Sequence, residues 1–285
     1  MNFAPIIVIG MHRSGTTMLS QQMEGLGIFM GKKKEMNHES TLFLGIDNWI
    51  AAQCGASWEN PQPIHYLIEN GELRARVADY INHYLLRTPR AMEYLGIGKF
   101  LRYRSPFELD FPWGWKSPLS TFTFPVWLDL FPNAKIIHIY RHGVDVANSL
   151  RARGRRESVP TWKQKLYYKM PILHAIRPKT GEFVRARCES LDGGLSLWEE
   201  YVAEARSHVS ALGERALELR YEDVLSDPAE ALRAVSRFCN LHASATCIEN
   251  VAASVRRERA YAFQDNSELQ AFANRVPERL SAHGY

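Results

Sequence analysis

Long apolar runs are missing from this chain: nowhere do the roughly 20 consecutive apolar residues occur that would span a bilayer. Cysteine is scarce. Cys54, Cys188, Cys239 and Cys247 stand apart, with neither a CxxC pair nor metal-ligand spacing, so the sequence predicts buried, reduced thiols in place of staples or zinc ligands. A basic leader is absent from Met1-Asn2-Phe3-Ala4, and the apolar run from Ala4 to Ile9 is shorter than a signal core; a cytoplasmic protein is expected. Net charge is low as well. Thirty-five Lys and Arg against 31 Asp and Glu give +4, which excludes a strongly basic nucleic-acid module and an acidic disordered tail. No repeat, low-complexity tract or linker divides the 285 residues, so one domain is expected over 1–285. A chain of that length buries about three quarters of its extended surface without a disulfide or metal.

What is present alternates. Pro5-Ile6-Ile7-Val8-Ile9 is β-branched almost throughout and reads as a strand buried on both faces, followed by an apolar-periodic helix from Thr16 to Leu26. Lys135 to Tyr140 is a second strand, with a helix starting near Gly143. Leu217 to Tyr221 is a third, and Asp227-Pro228 then announces a helix through Phe238, Asp as cap and Pro at the first helical position. Trp113-Gly114-Trp115-Lys116 adds a short strand, and residues 41–95 and 193–212 read as mainly helical, with Trp198 and Tyr201 in the core. The pattern predicts an α/β fold: a P-loop-like three-layer sandwich with a central parallel sheet and mainly helical insertions.

The small net charge hides an uneven distribution. Between Arg151 and Arg187 stand eleven Lys or Arg and two acids, Glu157 and Glu182; this segment carries +9 and leaves −5 for the rest. It also holds Trp162, Tyr167 and Tyr168, unlike a plain tail. Two readings stand: a solvated basic insertion at about 151–190, or a cap over an anionic ligand.

Gly10-Met11-His12-Arg13-Ser14-Gly15-Thr16-Thr17 joins the first strand to its helix with G-x4-G spacing. Such a turn aims backbone N–H groups and the positive end of a helix at a phosphate. The Lys that follows the second Gly in nucleoside-triphosphate loops is replaced by Thr16, and a cation stands earlier, at Arg13. The second strand ends in Arg141-His142 where a triphosphatase would place a metal-binding acid, and Ser149 follows eight residues later. The residues describe a nucleotide with an extra phosphate and predict no metal ligand. A P-loop kinase or NTPase and a non-catalytic anion- or nucleotide-binding protein are the alternatives.

At these positions the chain resembles the sulfotransferases that use PAPS (3′-phosphoadenosine 5′-phosphosulfate). Arg13-Ser14-Gly15-Thr16-Thr17 matches the family's 5′-phosphosulfate loop, and Arg141 with Ser149 its 3′-phosphate pair. Trp115-Lys116-Ser117-Pro118 is similar to the Lys-x-Pro element of tyrosylprotein and many bacterial members, and Leu219-Arg220-Tyr221-Glu222-Asp223-Val224 to a late strand and turn. The resemblance implies PAPS as donor, 3′,5′-phosphoadenosine as product and no metal. It implies a bacterial-type soluble enzyme, closer at Arg13 to the tyrosylprotein and glycan branches. Transfer needs charge stabilisation and a base. The resemblance assigns the first to Arg13 and Lys116, and the second to Glu39 in the polar loop Asn37-His38-Glu39-Ser40. His12, inside the loop, is the alternative base, with His38, His65 and His142 behind it. Arg256-Arg257-Glu258-Arg259 is a further 3′-phosphate candidate. The implied acceptor is a hydroxyl or amine on a small molecule, glycan, lipid or peptide, anionic if the basic segment reads it, and not a nucleic acid.

Overall fold

Four short runs of apolar residues, β1 (Ile6–Ile9), β2 (Gly114–Lys116), β3 (Lys135–Tyr140) and β4 (Ala216–Arg220), pair in parallel in the order β2-β1-β3-β4. The structure is a computed structural model describing residues 3–157, 186–255 and 259–285. Most of the basic segment, with Trp162, Tyr167 and Tyr168, therefore lies outside the described residues, as do Arg256, Arg257 and Glu258.

In chain order the helices are α1 (Thr16–Gly25), α2 (Thr41–Gln53), α3 (Ile64–Glu69), α4 (Gly71–Tyr80), α5 (Ala91–Tyr103), α6 (Ser120–Leu130) and α7 (Gly143–Glu157). Beyond the undescribed stretch come α8 (Leu191–Leu212), α9 (Tyr221–Ser226), α10 (Pro228–Phe238), α11 (Ala245–Ala252), α12 (Ser267–Ala273) and α13 (Pro277–Ser281). Among the described residues, no helix is long and apolar enough to cross a membrane.

Side chains alternate across a strand, and here both faces are covered. Ile6, Val8, Ile137 and Ile139 pack with Leu19 and Met23 of α1 and with Leu232 and Val235 of α10. Ile7, Ile9, Ile136 and Trp115 pack on the opposite side against α2 and α6, where Phe43 lies flat on Trp115 at 3.9 Å between ring centres. A third cluster joins α7 to α8 and encloses Trp198 and Tyr201, both fully buried. These layers form the three-layer α/β sandwich that the alternation predicts.

Three local expectations shift. The last strand ends at Arg220, one residue early, because Tyr221 opens α9 with Glu222 and Asp223 in its first turn, where acids complement the helix dipole. Residues 41–95 are helical but broken: a loop at 54–63 separates α2 from α3, and α5 kinks at Gly96, which holds φ 71°. Of the four cysteines, all free, only Cys188 and Cys239 are buried; Cys54 and Cys247 are half-buried. The cap at Asp227 forms as expected, its carboxylate accepting from the Glu230 amide at 3.0 Å.

Candidate active site

The chain leaves β1 toward β2 on one side and β3 toward β4 on the other, so the loops after β1 and β3 diverge at the carboxyl ends of the strands. Open α/β sheets bind ligands in that crevice. Here a cleft of about 410 Å³ occupies it. Each strand contributes at its end: the loop from Gly10 follows β1, Lys116 closes β2, Arg141 follows β3 and Tyr221 follows β4. Arg13, Lys116, Arg141, Arg153 and Arg259 line the cleft together with His12; its described lining contains no carboxylate.

The loop's backbone is built for close approach. Gly10 and Gly15 hold φ 128° and 96°, and Arg13 itself holds φ 72°. A Cβ on Gly10 would strike the Ile139 carbonyl, and one on Gly15 the Tyr221 ring, so glycine is required at both. Gly15 caps α1 without a side-chain hydrogen bond, and no acid sits in the first turn, leaving the helix's positive end to an anion. Ser14 is fully buried and its Oγ has no partner among the described residues. Arg13 donates from Nε to Ser149 Oγ at 2.7 Å, so a residue on the second turn of α7 holds the loop's cation.

Arg141 is fixed from three directions. Its Nη2 donates to Asp145 Oδ2 at 3.0 Å and to the Arg259 carbonyl at 2.8 Å, and its guanidinium lies 4.9 Å over the Tyr221 ring. Its buried Nε has no partner among the described residues. Asp145 also accepts from the amides of Ala262 and Phe263 at 3.2 and 2.8 Å, which brings the C-terminal segment onto the site. Burial pushes the Asp145 carboxyl above its usual range, while Arg141 and the two amides pull it back.

At the other end of the cleft Lys116 donates to Glu39 Oε1 at 3.1 Å, with side chains 1% and 5% exposed. Burial lowers the Lys116 ammonium from the usual lysine range, Glu39 opposes that, and the charge of Arg153 lowers it further. The proposed cation and base are therefore a single buried ion pair. Lys116 reaches the cleft wall and Glu39 stands behind it. Thr17 Oγ1 donates to the Asn37 carbonyl at 3.0 Å, tying α1 to the loop that carries Glu39.

The histidines separate. His12 lines the cleft, edge-on to Trp58. The other three do not line it. His38 turns to Glu24, and burial followed by Lys34 lowers its imidazole; His65 pairs with Glu204 at 3.5 Å. His142 stacks on Phe263 at 4.2 Å and is pushed down to about 4 by burial, then by Arg220 and Arg141. Sequence reasoning missed Asp145, Arg153 and Asn37. The first two had a readable signal, each standing four residues after a named site residue, Arg141 or Ser149, on or beside one helix.

The geometry agrees with a sequence comparison that spans most of the chain. The profile of the Sulfotransferase family matches residues 5–245. No curated protein sequence matches. Among solved structures, the sulfotransferase domain from the curacin biosynthetic pathway is 17% identical, with 97% of this chain and 99% of that one covered at a TM-score of 0.51. A sulfotransferase from Alicyclobacillus acidocaldarius, also 17% identical, covers 99% and 96% at 0.50. At such identity these two share the fold, and the match over residues 5–245 carries the assignment: this chain belongs to the sulfotransferase family.

Proposed function

We propose that this sulfotransferase takes its sulfuryl group from PAPS and delivers it to a hydroxyl or amine acceptor, with protein cations as the counter-charge. The observation that carries the reading is a cleft at the strand ends lined by five Lys or Arg and no described carboxylate. The residues fit the donor. Ser14 Oγ and Arg141 Nε are buried polar atoms with no partner among the described residues, and the two glycines at positive φ leave room for a phosphate against the backbone.

When bound, PAPS supplies an activated sulfuryl group and two phosphate groups. The amides at the start of α1, with Ser14, Thr16 and Thr17, hold the 5′-phosphate. Arg141 and Ser149 hold the 3′-phosphate, and the fork of Arg141 suits two oxygens at once. Arg13, already against Ser149, and Lys116 stabilise the charge that develops between donor and acceptor. Glu39 opposes the lowering that burial imposes on the Lys116 ammonium. Glu39, held on Lys116 at 3.1 Å, is the carboxylate that would accept the acceptor's proton. His12 is the second candidate for that proton because it lines the cleft.

Calorimetric titration tests the donor. The wild type binds 3′,5′-phosphoadenosine without Mg²⁺, and Arg141→Gln weakens binding at least about tenfold. Binding of Mg-ATP in preference would overturn the reading in favour of a kinase or NTPase. A pH–rate profile that keeps its acidic limb in Glu39→Gln would assign the base to His12.

A further inference from the structure

Tyr140 and Arg220 are the last registered pair of β3 and β4, and beyond them the strands end differently. β3 runs into Arg141-His142 ahead of α7, whereas β4 turns at once into α9. A buried amide must find an acceptor, and the His142 N–H finds a side chain. Glu222 Oε1 accepts it at 3.0 Å, across 80 residues of sequence. The other oxygen, Oε2, accepts the Tyr285 hydroxyl at 2.7 Å. Arg220 flanks both partners, 3.8 Å from Oε2 and 4.2 Å from the centre of the Tyr285 ring. Glu222 is 4% exposed and does not line the cleft.

Resting on the reading of Arg141 as the 3′-phosphate residue, we propose that Glu222 is a positioning residue for 3′-phosphate recognition. It holds the His142 amide and with it the backbone from which Arg141 springs. Asp145, the Arg259 carbonyl and the Tyr221 ring meet the guanidinium. Glu222 fixes the root of the same side chain, one peptide unit away. A fork that grips two phosphate oxygens depends on angle as well as distance, so a shift at its root weakens it. The loop after β1 is tied elsewhere, the Gly10 amide donating to Thr121 Oγ1 at 3.2 Å. Losing the brace therefore costs recognition of the 3′-phosphate and spares the 5′-phosphate. The His142 amide is neutral, so the brace needs an oxygen at that place and not a charge.

Calorimetry on the full chain with 3′,5′-phosphoadenosine and with adenosine 5′-phosphate, which lacks the 3′ group, tests this. The wild type should prefer the first at least about thirtyfold. Glu222→Ala should cut that preference about tenfold. Glu222→Asp, which keeps the charge and withdraws the oxygens by one methylene, should do the same. Glu222→Gln, which keeps the oxygen, should stay within about threefold of wild type. In an Arg141→Gln background, Glu222→Ala should change the preference less than about twofold, because it acts through Arg141. An undiminished preference in Glu222→Ala or Glu222→Asp overturns the assignment, as do equal losses for both nucleotides or a full further loss in the Arg141→Gln background. Asp behaving as wild type and Gln as Ala would overturn it too, by making the charge the cause. If Glu222→Ala fails to fold, the Asp and Gln variants decide between the same outcomes. A wild type that binds both nucleotides equally overturns the reading of Arg141 and this inference with it.

Discussion

Glu39 and Asp47 stand eight residues apart, one just ahead of α2 and the other within it; both are nearly or wholly buried, and they are held in opposite ways. Glu39 faces an ammonium, Lys116 at 3.1 Å, against the wall of the cleft. Asp47 faces neutral donors only: Ser120 Oγ and Thr123 Oγ1 each at 2.6 Å, and Trp127 Nε1 at 2.9 Å, under the stacked Phe43 and Trp115 rings. Burial pushes the Asp47 carboxyl above its usual range, and the hydroxyl and indole donors act against it. The difference separates a carboxylate paired with a buried cation from one that fastens two helices. Asp47 joins α2, which begins behind Glu39, to α6, which begins four residues after Lys116, and so sets the distance across the ion pair.

The comparison breaks most easily at Lys116. Lys116→Ala should lower kcat about 10²- to 10³-fold and leave nucleotide affinity almost intact. It should also cost about 3 kcal/mol of stability by stranding a buried carboxylate. A variant with wild-type turnover would remove Lys116 from the chemistry. In the double variant Glu39→Leu/Lys116→Met, denaturant unfolding should return to within about 1 kcal/mol of wild type while turnover stays lost. Recovery of activity there would mean the pair serves only the fold.

Asp47→Ala should cost about 3 kcal/mol in chemical denaturation, since three donors lose their acceptor, and Asp47→Asn about 1 kcal/mol. If Asp47→Ala instead abolished turnover at unchanged stability, Asp47 would belong with Glu39. The last effect is one of pH, beside Arg141. Burial, then Arg220 and Arg141, holds His142 down at about 4 when folded, against about 6.5 for a free imidazole. Its neutral form is favoured in the fold, so its contribution is complete above pH 6.5 and is lost as pH falls from 6.5 toward 4. The expected loss is about 2 to 3 kcal/mol, read as a falling denaturation midpoint that flattens in His142→Asn.

Local chemistry made part of this site legible. The loop from Gly10 to Thr17 needs glycine where φ is positive, and the strands of β-branched residues can be read without knowing their partners. Lys116 and Glu39 were each visible as candidates; their contact spans 77 residues, and nothing in either segment announces it. Asp47 was invisible because a lone Asp in an apolar helix reads the same whether it is buried or exposed. His38, His65 and His142 were candidates by residue type alone, and packing against Glu24, Glu204 and Phe263 turns them from the cleft. Arg153 read as one of many charges until α7 placed it one turn past Ser149.

By itself the sequence determined the alternation of strand and helix, the glycine-bearing loop after β1 and the cations at the strand ends, because these depend on backbone conformation and on short spacings. Only the tertiary structure decided which charges meet. The parallel order β2-β1-β3-β4 brings the ends of four strands to one edge, so residues far apart in the chain share one cleft. There, Coulomb interactions of a few ångströms outweigh anything that residue type or net charge could have foretold.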